Sequence, residues 1–272
     1  MKRVIIFAVV LLAFIQCKEE DNGNYSNFDI VFDNAQAALY FHIIFCEAEN
    51  AWAIVDDKNY ESFEYTFQDP ENQNTFKKII YDAEESTVTI EYNAWIPKNL
   101  NGTISVDFEA DSYRKGEAAR ISLTGFSIEG QNITGNLVIQ YKSTENDEND
   151  LYTFNVLEGA AIRKKDNNKA VLITASIANG DYERVAGGET ILQQDDDEWK
   201  FWGIMRGMLR DRPNMKYTNT ILHESAAHYS MGCITAKQGY SLITIPGRDN
   251  IECIYDCSDI HYHVVTHKIR NQ

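Results

Sequence analysis

Proline is scarce in this chain, four in 272 residues, so extended segments run almost uninterrupted by a residue that cannot donate to a strand ladder. Positive charge is also short. Lys and Arg number 25 against 41 Asp and Glu, a net charge of −16, which argues against nucleic acid, whose phosphates reward clustered cations. No apolar run outlasts Val4–Ile15, and none approaches the roughly 20 residues that a membrane-crossing helix needs. Signature motifs are missing too: there is no Cys-x-x-Cys knuckle, no Gly-x-Ser-x-Gly elbow, no Walker A loop and no dinucleotide fingerprint. His223-Glu224-Ser225-Ala226-Ala227-His228 spaces its imidazoles five apart instead of four. On a helix that sets them about 140° apart, so the metalloprotease pattern is not met. With 41 carboxylates a glycosidase pair cannot be located by spacing. No catalytic residue and no cofactor is assigned.

The N-terminus is informative. Lys2 and Arg3 precede twelve apolar residues, Val4 to Ile15, and Cys17 follows at once. A run this short has the proportions of a signal-peptide core. Phe14-Ile15-Gln16-Cys17 resembles a lipobox, although Gln16 stands where Gly, Ala or Ser is usual and Phe14 stands near the usual Leu. The resemblance implies that residues 1–16 are removed and that Cys17 carries the lipid, making the membrane the first partner and the outer membrane the location. Lys18-Glu19-Glu20-Asp21 resembles the export signal of Bacteroidota surface lipoproteins, which implies display at the cell surface. Residues 17–27 read as an acidic, flexible tether, because such composition cannot bury enough to order itself. Loss of Lys2 and Arg3 with the signal takes the net charge from −16 to −18.

Residues 28–272 read as one domain, mainly β. Thr87–Tyr92, Thr103–Phe108, Arg120–Thr124, Asn136–Tyr141, Tyr152–Val156 and Val171–Ile177 alternate with period two. Asn101-Gly102 and Asn179-Gly180 predict type I′ hairpin turns, and Lys115-Gly116, Gly130-Gln131, Asp166-Asn167-Asn168 and Gly187-Gly188 predict looser ones. The acidic tracts Glu145–Asp150 and Asp195–Glu198 are short enough to be hairpin loops. Successive hairpins predict an antiparallel meander without crossover helices. One segment departs from period two. Ala35–Cys46 predicts a helix over about 35–46, capped by Asp33 or Asn34 and apolar on nearly its whole circumference. A curled sheet or half-open barrel would bury such a helix all round; the alternative is a two-layer β-sandwich.

Asn101–Val106, Ile128–Leu137, Cys233 and Ile254-Tyr255-Asp256-Cys257 occur in the order seen in an otherwise uncharacterised class of Bacteroidota surface lipoproteins, which the chain resembles over roughly residues 85–265. The Gly-rich turn before the last cysteine is absent here, and Ser258 stands where that class has Asp. The resemblance implies fold and location but no chemistry. Beyond Cys17 the cysteines are Cys46, Cys233, Cys253 and Cys257, an even number that outside the cytoplasm favours disulfides with three connectivities open. The resemblance implies Cys233–Cys257, leaving Cys253 to reach Cys46 or to stay a thiol. A zinc cluster of Cys233, Cys253, Cys257 and a histidine is the alternative.

Five of six histidines fall in the last 50 residues. His261, His263 and His267 share parity, so on one strand they face the same way, His261 and His263 about 6.6 Å apart. They are weak metal candidates against the plainer reading of a solvated edge strand. Trp95, Trp199 and Trp202 are candidates for stacking on a sugar ring, against a reading as sheet core, with Trp199 and Trp202 in the richer apolar segment. The function expected is a lipid-anchored surface binding or structural protein with a glycan or protein ligand. The alternative is a surface hydrolase with an acidic or histidine site not located by sequence.

Overall fold

The computed structural model describes residues 26–96, 98–108, 116–143, 149–157, 161–166, 169–187, 197–209, 215–230, 233, 236–257 and 259–265, with backbone alone in 163–166 and 169–176. The signal, Cys17, the Lys18–Asp21 quartet and His267 lie outside the described residues.

Among the described residues one helix, α1 (Asn27–Asp57), precedes sixteen strands. They are β1 (Phe63–Gln68), β2 (Phe76–Asp82), β3 (Thr87–Trp95), β4 (Leu100–Asp107), β5 (Ala118–Ile128), β6 (Gln131–Thr134), β7 (Asn136–Tyr141) and β8 (Leu151–Val156), then β9 (Ala161–Asp166), β10 (Lys169–Ala186), β11 (Glu198–Met208), β12 (Lys216–Ile221), β13 (Ala227–Ser230), β14 (Gln238–Thr244), β15 (Asn250–Asp256) and β16 (Asp259–Val265). All belong to one sheet that does not close into a barrel, and β1 and β16 are its outermost strands. Each pairing is antiparallel, as hairpin-linked strands require.

The helix begins earlier and ends later than the 35–46 that the sequence predicts. Ser26, not Asp33 or Asn34, is its cap. The Ser26 Oγ accepts from the Asp29 N–H at 3.1 Å and the Asp29 carboxylate accepts from the Ser26 N–H at 3.2 Å, a reciprocal capping box. Asp33 and Asn34 are buried one to two turns inside the helix. At the other end, the helix runs on past Cys46 through Glu47, Glu49 and Asn50, all three of them buried.

Two predicted hairpins are something else. Asn101-Gly102 lies within β4 and Asn179-Gly180 within β10, both at breaks in strand register. Positive φ serves a bulge as well as a turn: Asn179 has φ 53°, and Gly102 has φ 91°. A Cβ at Gly102 would strike the backbone of Gly125, so only glycine lets the two strands approach there. The bulge in β10 lets one long strand pair with β9 along its first half and β8 along its second. By contrast Glu129-Gly130, both at positive φ, closes a two-residue hairpin between β5 and β6.

The two ends of the sheet are distinct. The near end holds the start of α1 and the β1–β2, β3–β4, β5–β6 and β14–β15 turns. The Tyr40 hydroxyl fixes this by donating to Glu129 at 3.1 Å, while the Glu129 N–H donates to the Lys98 carbonyl at 2.9 Å. The far end holds the link from α1 to β1 and the β2–β3, β7–β8 and β10–β11 connections. There the Ala83 N–H donates to the Ser62 hydroxyl at 3.0 Å.

Candidate functional site: an open seam over the central helix

Glu47 and Glu49 stand two residues apart, so their side chains leave α1 about 200° apart. They reach opposite parts of the sheet. Glu47 pairs with Lys77 of β2 at 2.5 Å, and Glu49 pairs with Arg184 of β10 at 2.5 Å while accepting from the Tyr152 hydroxyl of β8 at 3.1 Å. Arg184 also bonds Asp150 at 3.2 Å and lies 4.7 Å from the Trp199 ring centre. The sheet therefore wraps the helix and is braced to it from both sides. Burial raises the Glu49 pKa, with Arg184 and Tyr152 opposing it. Burial also works against the Arg184 charge, but Glu49 and its neighbours prevail and hold the guanidinium above its usual range. Burial first, then the Glu47 charge, pushes the Tyr92 phenol up.

Between the braces runs a Cys–His pair. The Cys46 Sγ lies 3.5 Å from the His42 Nε2, one helical turn away. His42 stacks on Tyr229 at 4.3 Å and on Tyr182 at 5.6 Å between ring centres. The spacing suits a thiolate–imidazolium couple, but the electrostatics oppose one. Burial takes His42 down to about 3 and pushes the Cys46 thiol up, with Glu49, Asp197 and Glu47 adding to the thiol's rise. A reactive cysteine needs the reverse. The pair packs as neutral groups.

The aromatic and ionic partners named above leave one arc of the helix uncovered. His42, Phe45 and Glu49 face β8, β10, β11 and β13, whereas Tyr40 and Glu47 face β2, β3 and the β5–β6 turn. Gln36, Leu39, Ile43, Cys46 and Ala53 fall within about 100° of arc between those sets, and all are only half-buried. Phe28 and Phe32 continue that arc and are exposed. By elimination this side is left to the outermost strands, β1 and β16, of which β16 approaches the helix. The inward rows of both edges are half-buried as well: Phe63, Tyr65 and Phe67 on β1, and Ile260 and Tyr262 on β16. Buried Asn50 and Ile54 close the arc toward the helix C-terminus. The result is an apolar seam with an aromatic row on β1, a helix floor and strand edges whose outward backbone groups have no sheet neighbour among the described residues.

The residues singled out by sequence scatter. Trp199 points inward and is buried under Arg184; Trp202, three positions on, faces outward and meets His223 edge-on at 4.7 Å. They do not form one stacking platform, because adjacent strand positions face opposite sides. Trp95 is half-buried at the end of β3. His261 and His263 are exposed on the outer face of β16, with equal parity as the sequence predicts. Among the described residues no three His, Cys, Asp or Glu side chains converge to hold a metal ion. Cys233 and Cys257 are disulfide-bonded with Cα atoms 4.6 Å apart, tying the approach to β14 to the end of β15. Cys46 and Cys253 are thiols; Cys253 is buried in β15, where burial raises it to about 12. Sequence reasoning missed Lys77, Arg184 and the two glutamates. Their one available signal was two carboxylates set inside an apolar helical run.

No family model, no curated protein and no solved structure matches the chain.

Proposed function

We propose that the protein is a cell-envelope lipoprotein, acylated on Cys17, that binds an extended peptide segment along the seam. The observation that carries the binding reading is the pair of outermost strands, β1 and β16, whose inward Phe63, Tyr65, Phe67, Ile260 and Tyr262 are only partly buried, as are Leu39 and Ile43 on the helix. Unpaired edges offer backbone donors and acceptors to an added strand, and alternate pockets between side chains supply selectivity. A binding role also fits the Cys46–His42 pair, whose neutral state suits packing better than catalysis. Attachment rests on the lipobox-like Phe14–Cys17, and display on the Lys18, Glu19, Glu20, Asp21 quartet.

A photoreactive phenylalanine analogue at Tyr65 or Tyr262, with one at outward-facing Glu64 as control, tests the seam in cells. Adducts at 65 and 262 but not at 64 support the reading. Equal yields at all three positions contradict it. Cys17→Ser tests attachment separately, by abolishing incorporation of labelled fatty acid and releasing the protein from outer membrane after a carbonate wash. Alanine at 18–21 together is expected to keep the lipid and reduce protease access on intact cells.

A further inference from the structure

The geometry points to the near end of the domain as a membrane-contacting face, seated on the bilayer that the Cys17 lipid enters; the inference rests on that acylation. Eight residues, 18–25, separate Cys17 from Ser26, the cap of α1, so the cap lies within about 30 Å of the lipidated residue even at full extension. The helix has 31 residues and spans about 46 Å. It is longer than its leash. A domain turned over, with its far end on the membrane, would hold Ser26 beyond the reach of Cys17. Only the near end or a flank can touch the bilayer.

Surface chemistry selects the near end. Phe28 and Phe32, on the first two turns of α1, are 56 % and 41 % exposed and stack with ring centres 6.0 Å apart. Ile96, in the β3–β4 turn at the same end, is 58 % exposed. None of the large apolar side chains exposed among the described residues stands in a far-end connection. Aromatic rings that face water on a soluble surface find a favourable depth at the bilayer interface, beside headgroups. Charge runs the other way. The described far-end connections carry Glu61, Glu84, Glu85, Glu117, Asp150 and Asp197 against Lys58, Lys142 and Lys237, an acidic excess that an anionic leaflet repels. The near end mixes Lys98, Lys216 and Arg248 with Asp69, Glu71, Glu129 and Asp249 and comes closer to balance. Anchored this way, the seam stands along the membrane normal, open to the side, with its helix floor rising from the lipid surface.

The test uses the full acylated chain in phosphatidylethanolamine–phosphatidylglycerol vesicles, with Cys46→Ala to leave buried Cys253 as the remaining thiol. A polarity-sensitive fluorophore is placed at Phe28→Cys, at Ile96→Cys or at Glu85→Cys, and spin-labelled lipid is added as quencher. Expected is a several-fold quench and a blue shift at 28 and 96, with neither at 85. Equal quenching at all three positions, or none at 28 and 96 in acylated protein, overturns the inference. Intact mass reads acylation independently: a mature chain without lipid on Cys17 removes the anchor, and thereby both the attachment reading and this one.

Discussion

Two faces of the same helix have nearly the same composition and opposite surroundings. Phe41, Ile44, Phe45 and Ala48 are wholly buried under the sheet, whereas Leu39, Ile43 and Cys46, each a position or two away, are only half-buried on the arc left to the outermost strands. An isolated surface helix would carry polar residues on its uncovered side. Here the uncovered side stays apolar apart from Gln36, and the edge strands beside it turn rings inward without burying them. Apolar surface kept where the fold does not use it is the mark of an interaction face.

The comparison breaks most sharply by substitution on the covered face. Phe45→Ala removes a ring stacked on Tyr182 at 4.0 Å and edge-on to Trp199 and Phe154. Its expected cost is ~3–5 kcal/mol in denaturant unfolding. Lys77→Met is expected to cost a similar ~3–5 kcal/mol, because Glu47 is then a buried charge without its partner. Adding Glu47→Leu to Lys77→Met should recover most of that loss, an outcome that a simple packing role for Lys77 does not produce.

Next in size is the disulfide. Cys233 and Cys257 close a loop with a sequence separation of 24, for which chain entropy gives roughly 3–4 kcal/mol. Reduction, or Cys257→Ser, is expected to lower stability by about that amount and to speed hydrogen exchange in β14 and β15 more than in β2 and β3.

His42 sharpens the comparison through pH. Its folded value, about 3, lies below the ordinary 6.5, so between those values the unfolded chain binds the proton more readily. Stability from this group is full above pH 6.5 and is lost as pH falls toward 3, by as much as about 5 kcal/mol at roughly 1.4 kcal/mol per pH unit. His42→Phe, which keeps an aromatic ring beside Tyr229, should flatten the slope between pH 6.5 and 4. An unchanged slope would assign the acid sensitivity to carboxylates instead. The smallest effect is expected at the seam: Ile43→Ala should cost about 1 kcal/mol, against ~2–4 for Ile44→Ala.

Much of the fold was legible in the sequence for simple physical reasons. Period-two alternation identified β7 and β8 almost to the residue and the bodies of β3 and β4 to within three residues, since side chains on one face of each are more buried than on the other. The central helix was legible in kind but not in length, because the tether expected over 17–27 takes in the Ser26 cap and the apolar run that marks the helix ends at Cys46. Asn101-Gly102 and Asn179-Gly180 misled because positive φ serves bulges and turns alike, and only the partner strands distinguish them. The candidate site was hardly legible at all. Tyr65, Ile43 and Tyr262 are ordinary core residues by sequence, and what sets them apart is a pairing that β1 and β16 do not make. Trp199 and Trp202 drew notice as rings able to stack on a sugar and lie on opposite faces of β11.

The most direct measurement of the central claim compares two neighbouring helix positions. In a Cys46→Ala background, Ile43→Cys and Ile44→Cys are exposed, in the native protein, to a small neutral alkylating reagent. The open-seam account expects position 43 to be modified within minutes and position 44 only at the rate of global unfolding. Equal protection of both would mean that the helix is enclosed on every side and that no seam is open to a ligand.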